Sequence, residues 1–413
     1  MHKQIKFISS FYFFGGLGGK TSYDESNLRY QLICFLGDVD NMTAHSDHVT
    51  ENLTIIIPTY NRYSHIARWL KYWSMQKNPP RVIIADATPA VDRDEPYIDL
   101  LTKTPMITYT QHNDQSTFWG RVLACKDLLE TPFYALCADD DFITESAQIE
   151  CTKFLREHPD YVGVHGWYYG YNLIPKFLGG REMAYGSLYP KHKDLLGGSV
   201  EERMKNVFLK EEGGPTIYGM FRSEELGPIW QSVADFSTNY SSFETCALGN
   251  VAIRGKVKLL PLLYSLRQMN EKSWITTNNF EQFHNDDELE NLVKAWHATA
   301  NLVSQSGSLD ETFRVCARKH FDLSEVNAVF VSSFQQQFRK KFEKYYRQYV
   351  RLGRRHFLRP HFGLIFPDVS QEYLEAAELD VATIAEVILK SDLSVTNLAA
   401  ARETFLDIVP VNS

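Results

Sequence analysis

The sequence predicts an α/β fold, in which a mostly parallel sheet is sandwiched by helices and followed by a helical C-terminal region. Two observations carry this prediction. Short continuous apolar segments, the pattern of strands buried on both faces, alternate with segments whose apolar residues recur every three or four positions, the pattern of amphipathic helices. Strands and helices that alternate at this spacing form parallel sheets. From about residue 285 onward helical patterns dominate.

The first half of the sheet is predicted from four apolar segments and the helices between them. The predicted strands are LTIIIP (53–58), RVIIAD (81–86), MITYTQ (106–111) and PFYALCA (132–138). Helices are predicted over 65–76, 116–130 and 146–158, the second of them capped by Ser116. In the first helix, Ile66, Trp69, Leu70 and Trp73 share one face, which would pack against the sheet.

The second half of the sheet and the domain organisation are predicted from weaker patterns. Further strands are expected over 161–174, 215–222 and 258–268, a helix over 241–255, and a glycine-rich loop over 178–199. Residues 1–51 show no sustained period and are predicted to be a poorly ordered extension. The chain therefore divides into this extension, a sheet domain over 52–284 and a helical region over 285–413.

Composition excludes several classes of protein. A formal net charge of -8 argues against a nucleic-acid partner, which would need a basic face to neutralise phosphates. The six cysteines show no CxxC spacing, so neither a zinc site nor a redox motif is indicated. No apolar segment approaches the roughly 18 residues of a membrane-spanning helix, and the N-terminus lacks the pattern of a signal peptide. We therefore expect a cytoplasmic protein.

Charged and polar residues follow the ends of three predicted strands. In YALCADDDFIT (134–144), an apolar segment is followed at once by three carboxylates, Asp139, Asp140 and Asp141, each of which needs water, a donor or a cation. Asp86 ends the second strand, and residues 58–62 follow the first. Ligands of open α/β sheets bind outside the carboxyl ends of the strands. The sequence thus predicts that these residues share one rim.

The three adjacent carboxylates suit a hard divalent cation, which prefers oxygen ligands. Such an ion can bind a diphosphate and neutralise the charge that grows on it as it leaves. If the local chain is extended, Asp139 and Asp141 project to the same side. We expect Mn2+ or Mg2+ there.

Three motifs together resemble the family-2 nucleotide-sugar glycosyltransferases, which have the GT-A (Rossmann-like) fold. They are LTIIIPTYNR (53–62), RVIIADAT (81–88) and YALCADDDF (134–142), the last containing a D-x-D motif. Their order and spacing match the family, and the resemblance covers roughly residues 52–268. It implies that residues 52–284 form the GT-A domain, and that the chain transfers a sugar from a nucleotide diphosphate.

The resemblance also assigns roles to individual residues. It implies that the loop against the nucleotide contains Pro58, Thr59, Asn61 and Arg62, that Asp86 binds the base, that Asp139 and Asp140 lie near the ribose and diphosphate, and that Arg121 contacts the diphosphate. The metal would be bound by Asp139 and Asp141, with Asp141 the direct ligand.

The catalytic base is expected at the start of a helix beyond the D-x-D motif, where it would deprotonate the acceptor hydroxyl. SSFETC offers Glu244, although the family pattern is Glu-Asp and this chain has Glu-Thr. Asp235 is the reserve candidate. Arg267, in a segment resembling one that closes over the donor, could pair with the diphosphate. Asn270 stands where some members place a metal-binding histidine, so no third protein ligand is expected.

Structural alternatives exist for each of these residues. Asp86 and the three adjacent aspartates could cap the helices that follow them. Arg121 could form a salt bridge with Glu130 or Asp127, and Glu244 could be an acid favoured by the helix dipole. The segment 338–359 carries basic beside aromatic residues, which could lie on an anionic membrane or pack on the catalytic domain.

The predicted function is a metal-dependent, inverting transfer of a sugar, from a UDP-sugar, to a hydroxyl of a glycan, lipid-linked sugar or protein. One alternative is a haloacid-dehalogenase-type phosphatase, whose D-x-D-x-[TV] motif is nearly matched by DDDFI. That family places its nucleophile after the first core strand, whereas Asp139 follows the fourth. The other alternative is a non-catalytic glycan-binding protein on a transferase scaffold.

Overall fold

The computed structural model describes residues 52–113, 116–175, 181–188, 193–210, 217–237, 240–268, 286–303, 309–319 and 371–390. The predicted N-terminal extension, Asn270 and the basic segment 338–359 lie outside the described residues. In the described part of the chain, no helix is both long enough and apolar enough to cross a membrane.

Nine strands and ten α-helices are described. The strands are β1 Leu53–Thr59, β2 Arg81–Asp86, β3 Ile107–Gln111, β4 Phe133–Leu136, β5 Phe142–Ile143, β6 Tyr161–Pro175, β7 Arg181–Leu188, β8 Met220–Arg222 and β9 Lys256–Gln268. The helices are α1 Tyr63–Ser74, α2 Glu95–Lys103, α3 Phe118–Ala124, α4 Glu145–Glu157, α5 Val200–Phe208, α6 Leu226–Phe236, α7 Tyr240–Arg254, α8 Asp286–Asn301, α9 310–319 and α10 Gln371–Lys390. Short 3-10 turns lie at Ala90–Asp92, Lys126–Leu128 and Ser223–Glu225.

All the described strands belong to one sheet, in the order β3-β2-β1-β4-β8-β6-β9-β5, with β7 paired to β6. The first four strands pair in parallel. Beyond β4 the sheet is mixed, since β8 is antiparallel to both its neighbours while β6 and β9 are parallel to each other. The α/β class is confirmed, with the parallel pairing concentrated in the first half of the sheet, and each element described after residue 285 is a helix.

Several boundaries differ from the prediction for local reasons. The helix predicted over 116–130 ends at Ala124, and its cap is Thr117, whose side chain accepts from the amide of Gly120. The predicted strand over 215–222 is reduced to β8. Helix α2 was missed although Asp94 caps it by accepting from Tyr97, and β7 lies within the stretch expected to be a glycine-rich loop.

Side chains of the central strands alternate between two hydrophobic cores. From β1, Ile55 and Ile57 point into one core while Ile56 points into the other, as the twofold period of a strand requires. The first core is closed by α1, α2, α4 and α10, and the second by α3 and α5–α9. The C-terminal helices therefore complete the two cores of the sheet.

Gly249 on α7 packs directly against Trp296 on α8. A Cβ atom built on Gly249 would overlap the indole of Trp296, which is fully buried. We expect Gly249→Ala to lower the free energy of unfolding by about 3 kcal/mol, because overpacking displaces one helix from the other. Urea denaturation followed by circular dichroism measures this change.

Gly198→Ala is the matched control, since a Cβ atom at that position meets no atom within 4 Å. We expect its unfolding midpoint to equal that of the wild type. Equal midpoints for both variants would show that α7 and α8 adjust without cost.

Candidate functional site

Four parallel strands end at one rim of the sheet, as predicted. Thr59 at the end of β1 pairs with Asp86 at the end of β2, and Asp86 pairs with Gln111 at the end of β3. Beyond β4, Asp139 reaches the same level, because its Oδ2 accepts a hydrogen bond from the hydroxyl of Thr59 at 2.7 Å. The structure thus brings the residues of all three motifs together.

Arg121 supports the loop after β1 from the interior of the protein. Its guanidinium is buried and donates to the carbonyl of Thr59 at 2.8 Å. Asn61 follows with a positive φ of 52°, and its amide donates to the hydroxyl of Thr88 at 2.8 Å. Glu130, one salt-bridge alternative for Arg121, instead pairs with Arg81. Arg121 therefore supports the loop from inside the protein, and its diphosphate contact stays a prediction.

Arg62 pairs with the first two aspartates of the cluster Asp139–Asp141. Its Nη1 donates to Asp139 Oδ1 at 2.6 Å, and its Nη2 donates to Asp140 Oδ2 at 3.0 Å. Both oxygens of Asp139 are therefore occupied, one by Arg62 and one by Thr59. The side chain of Asp139 is buried.

Asp141 is engaged from the other side, by the end of β9. Arg267 Nε donates to Asp141 Oδ2 at 3.0 Å, and the backbone amide of Gln268 donates to Oδ1 at 3.1 Å. The antiparallel pairing of β5 with β9 sets this contact, because it places Phe142 opposite Leu266. The acid cluster is thus held between the loop after β1 and the end of β9.

Burial raises the pKa of the two inner carboxyl groups. The pKa of Asp141 is raised to about 7 by burial, with Arg267 lowering it and Asp140 raising it further. Burial also raises the pKa of Asp139, against the lowering effect of Arg62. For both acids, loss of solvation therefore raises the pKa more than the neighbouring guanidinium group lowers it.

Asp86 is enclosed by hydrogen-bond donors of the chain itself. Its Oδ1 accepts from the amide and hydroxyl of Thr88, and its Oδ2 accepts from the hydroxyls of Tyr63 and Tyr109 at 2.9 and 2.8 Å. The side chain is 1% exposed. A carboxylate offers about four lone-pair positions, so these four donors fill it. In this arrangement neither oxygen of Asp86 is left to accept a hydrogen bond from a nucleobase. The predicted contact with the base would require Tyr63 or Tyr109 to move.

Glu244 lies one turn into α7 and is exposed to solvent. Desolvation by nearby protein atoms raises its pKa, while the charge of Arg267 lowers it. The neighbouring Phe243 is fully buried and stacks on Trp119 at 5.1 Å, which fixes the orientation of this turn. Arg267 therefore acts on both Asp141 and Glu244.

Asp235, the reserve candidate, lies on the exposed side of α6 near its end. Its Oδ1 accepts a hydrogen bond from Gln231 at 3.0 Å, one turn earlier on the same helix. Among the described residues, no hydrogen bond or ion pair joins Asp235 or Glu244 to the acid cluster. Glu244 is near enough to Arg267 for that charge to lower its pKa, and the choice between Glu244 and Asp235 as the base stays a prediction.

Sequence reasoning missed a buried polar network beneath the cluster. The side-chain oxygen of Gln268 accepts from Arg68 at 3.0 Å and lies 3.1 Å from the hydroxyl of Tyr171, which also lies 3.2 Å from the carbonyl of Asp140. Arg68 is 1% exposed, and its guanidinium lies over the ring of Phe142. An arginine among the apolar residues of a predicted helix was the available signal.

The predicted divalent ion is chemically suited to carboxylate oxygens but does not fit them as they are arranged. Both oxygens of Asp139 and both of Asp141 already accept hydrogen bonds. Among the described residues, no group of three or more His, Cys, Asp or Glu side chains is placed to hold a metal ion. An ion would need the pairs with Arg62 and Arg267 to open first, so metal binding stays a prediction.

No protein-family model matches the chain, and no curated protein is significantly similar to it. Similar solved structures include TarS of S. aureus. TarS 1–349 in complex with UDP-GlcNAc is 15% identical, with a TM-score of 0.43, covering 86% of this chain and 89% of TarS 1–349. TarS 1–349 alone is 13% identical, with a TM-score of 0.39, covering 66% of this chain and 91% of TarS 1–349. The longer TarS chain is 12% identical, with a TM-score of 0.36, covering 66% of this chain and 53% of TarS. Similarities of this size carry no argument about ligand or activity, which must come from the site.

Proposed function

We propose that this protein is a nucleotide-sugar glycosyltransferase whose donor diphosphate binds at the rim formed by β1, β2 and β4. One observation carries the proposal. The residues of the three motifs, which are separated in sequence, meet at one rim, where Thr59 and Arg62 bind Asp139 directly. Arg267 adds a second guanidinium beside Asp141. The rim thus combines fixed charge with donors of the kind that bind phosphate oxygens.

In the proposed reaction, Glu244 takes the proton of the acceptor hydroxyl. The acceptor oxygen then forms a bond to the anomeric carbon of the donor sugar, while the bond from that carbon to the diphosphate oxygen breaks. The electron pair of the broken bond leaves with the nucleoside diphosphate, and the configuration at the anomeric carbon inverts. Arg62 and Arg267 would stabilise the negative charge on the leaving group.

The finer assignments are also proposals. A UDP-sugar is the proposed donor, and the acceptor would be a hydroxyl of a glycan, a lipid-linked sugar or a protein. These assignments are supported by the resemblance of the three motifs, as is the proposed Mn2+ or Mg2+. No step above depends on the ion, since the arrangement of Asp139 and Asp141 does not fit it.

A thermal-shift experiment tests the proposed function. We expect UDP and UDP-GlcNAc to raise the melting temperature of the full chain, because a ligand that binds only the folded state stabilises it. Measurement with EDTA and with Mn2+ separates metal-dependent from metal-independent binding. AMP and a simple phosphoester serve as controls for general anion binding.

The alternatives predict other outcomes. Hydrolysis of the phosphoester without any response to UDP would favour the phosphatase. Binding of free sugars without release of UDP from UDP-sugars would favour the glycan-binding protein.

A further inference from the structure

Two arginines, from the loop after β1 and from the end of β9, pair with the acid cluster Asp139–Asp141. Arg62 comes from the loop after β1 and pairs with Asp139 and Asp140 at 2.6 and 3.0 Å. Arg267 comes from the end of β9 and pairs with Asp141 at 3.0 Å, with its guanidinium against the ring of Tyr218. Three carboxylates thus share two guanidinium groups.

The two kinds of side chain differ in their access to solvent. The arginine side chains are 30% and 29% exposed, whereas those of Asp139 and Asp141 are 5% and 9% exposed. Asp140 is intermediate, at 16%. A ligand arriving from solvent therefore meets the guanidinium groups before the inner carboxylates. The accessible surface of the cluster is better suited to an anion than to a cation.

The acids are also held on their inner side. Thr59 binds Asp139, and the amide of Gln268 binds Asp141. These contacts anchor the carboxylates behind the arginines, so an incoming anion shares each guanidinium with an acid that stays in place. A guanidinium has five N–H donors in a planar fork and can serve two anions, but its positive potential is then divided between them.

We propose that Arg62 and Arg267 together form the diphosphate-binding element, and that the acids of the cluster are internal counter-ions that compete with the diphosphate for them. This inference rests on the proposed function for the identity of the ligand. The counter-ion role and a metal-binding role predict changes of opposite sign in the affinity for an anion when an acid is neutralised. With Mn2+ present, neutralising a counter-ion still strengthens anion binding, whereas neutralising an acid that holds the metal ion weakens it.

Isothermal titration calorimetry of the full chain, in EDTA and again with Mn2+, tests this sign, with UDP and inorganic pyrophosphate as probes. We expect Asp140→Asn to bind both probes about three- to ten-fold more tightly than the wild type, the size of a partly exposed ion-pair effect. Asp141→Asn is the second variant and should act in the same direction through Arg267. Its thermal melting curve, with that of Asp140→Asn, checks that both variants fold.

Glu290→Gln is the matched control, because it changes the net charge equally at the Glu290–Arg314 pair, outside the acid cluster. Its affinity for both probes should equal that of the wild type. If the wild type binds UDP and the folded aspartate variants bind no more tightly, the counter-ion proposal is wrong and the proposed function stands. If no form of the protein binds UDP or pyrophosphate, both proposals are wrong. Tighter binding of pyrophosphate without any binding of UDP would support the counter-ion proposal alone.

Discussion

Replacing Glu244 by glutamine should lower the rate of sugar transfer by about 10²–10⁴-fold, the usual contribution of a general base. Glutamine keeps the size of the side chain but cannot remove the proton from the hydroxyl that receives the sugar. Affinity for UDP should stay near that of the wild type, because the proposed diphosphate contacts come from Arg62 and Arg267. The measurements are the release of UDP from a UDP-sugar in the presence of acceptor, and calorimetric binding of UDP.

The pH dependence of the wild type provides a second readout. Desolvation raises the pKa of Glu244, with Arg267 opposing it. A base works only when deprotonated, so the rate should fall as the pH falls through this pKa. Because the pKa is raised, the fall should begin at a higher pH than for an ordinary glutamate. The Glu244→Gln variant should lack this acidic limb.

Asp235→Asn is the control for Glu244. Asp235 is exposed on α6 and is bound by Gln231 of the same helix, so its replacement should leave the rate of transfer unchanged. The opposite pattern, loss of transfer in Asp235→Asn and retention in Glu244→Gln, would exchange the two assignments.

Arg267→Gln should weaken the binding of UDP by about ten- to one-hundred-fold, since a hydrogen bond to a charged group contributes roughly 1.5–3 kcal/mol. The same change removes the ion-pair partner of Asp141, whose pKa is already raised to about 7. We therefore expect Asp141 to become protonated near neutral pH in the variant. Calorimetry with UDP measures the affinity, and thermal melting reports any loss of stability.

Lys256→Gln is the matched control for Arg267→Gln. Lys256 lies at the opposite end of β9 and pairs with Asp160 on the surface. Its replacement removes the same charge from the same strand and should leave UDP binding unchanged. Equal weakening in both variants would mean that UDP responds to net charge and not to a contact with Arg267.

The sequence was a sufficient guide to the first half of the sheet and to the rim. β1, β2 and β4 are continuous apolar segments. Such segments are buried on both faces, which places them at the centre of a sheet that is covered by helices. Once these strands are parallel, their carboxyl ends meet at one edge, so the convergence of Thr59, Asp86 and Asp139 followed from topology alone. The later elements were predicted less well. β8 is only three residues long, and α2 is a nine-residue helix that begins at the local cap Asp94.

The partners of the charged side chains were decided only by the tertiary structure. Asp141 meets Arg267, 126 residues later, because β9 pairs antiparallel with β5 at the far edge of the sheet. Asp86 meets Tyr63 and Tyr109 because α1 and β3 both lie beside the end of β2. A hydrophobic period is a local property of the chain and determines which residues are buried. Which donor faces which carboxylate depends on the register of strands far apart in sequence, and no local pattern encodes it.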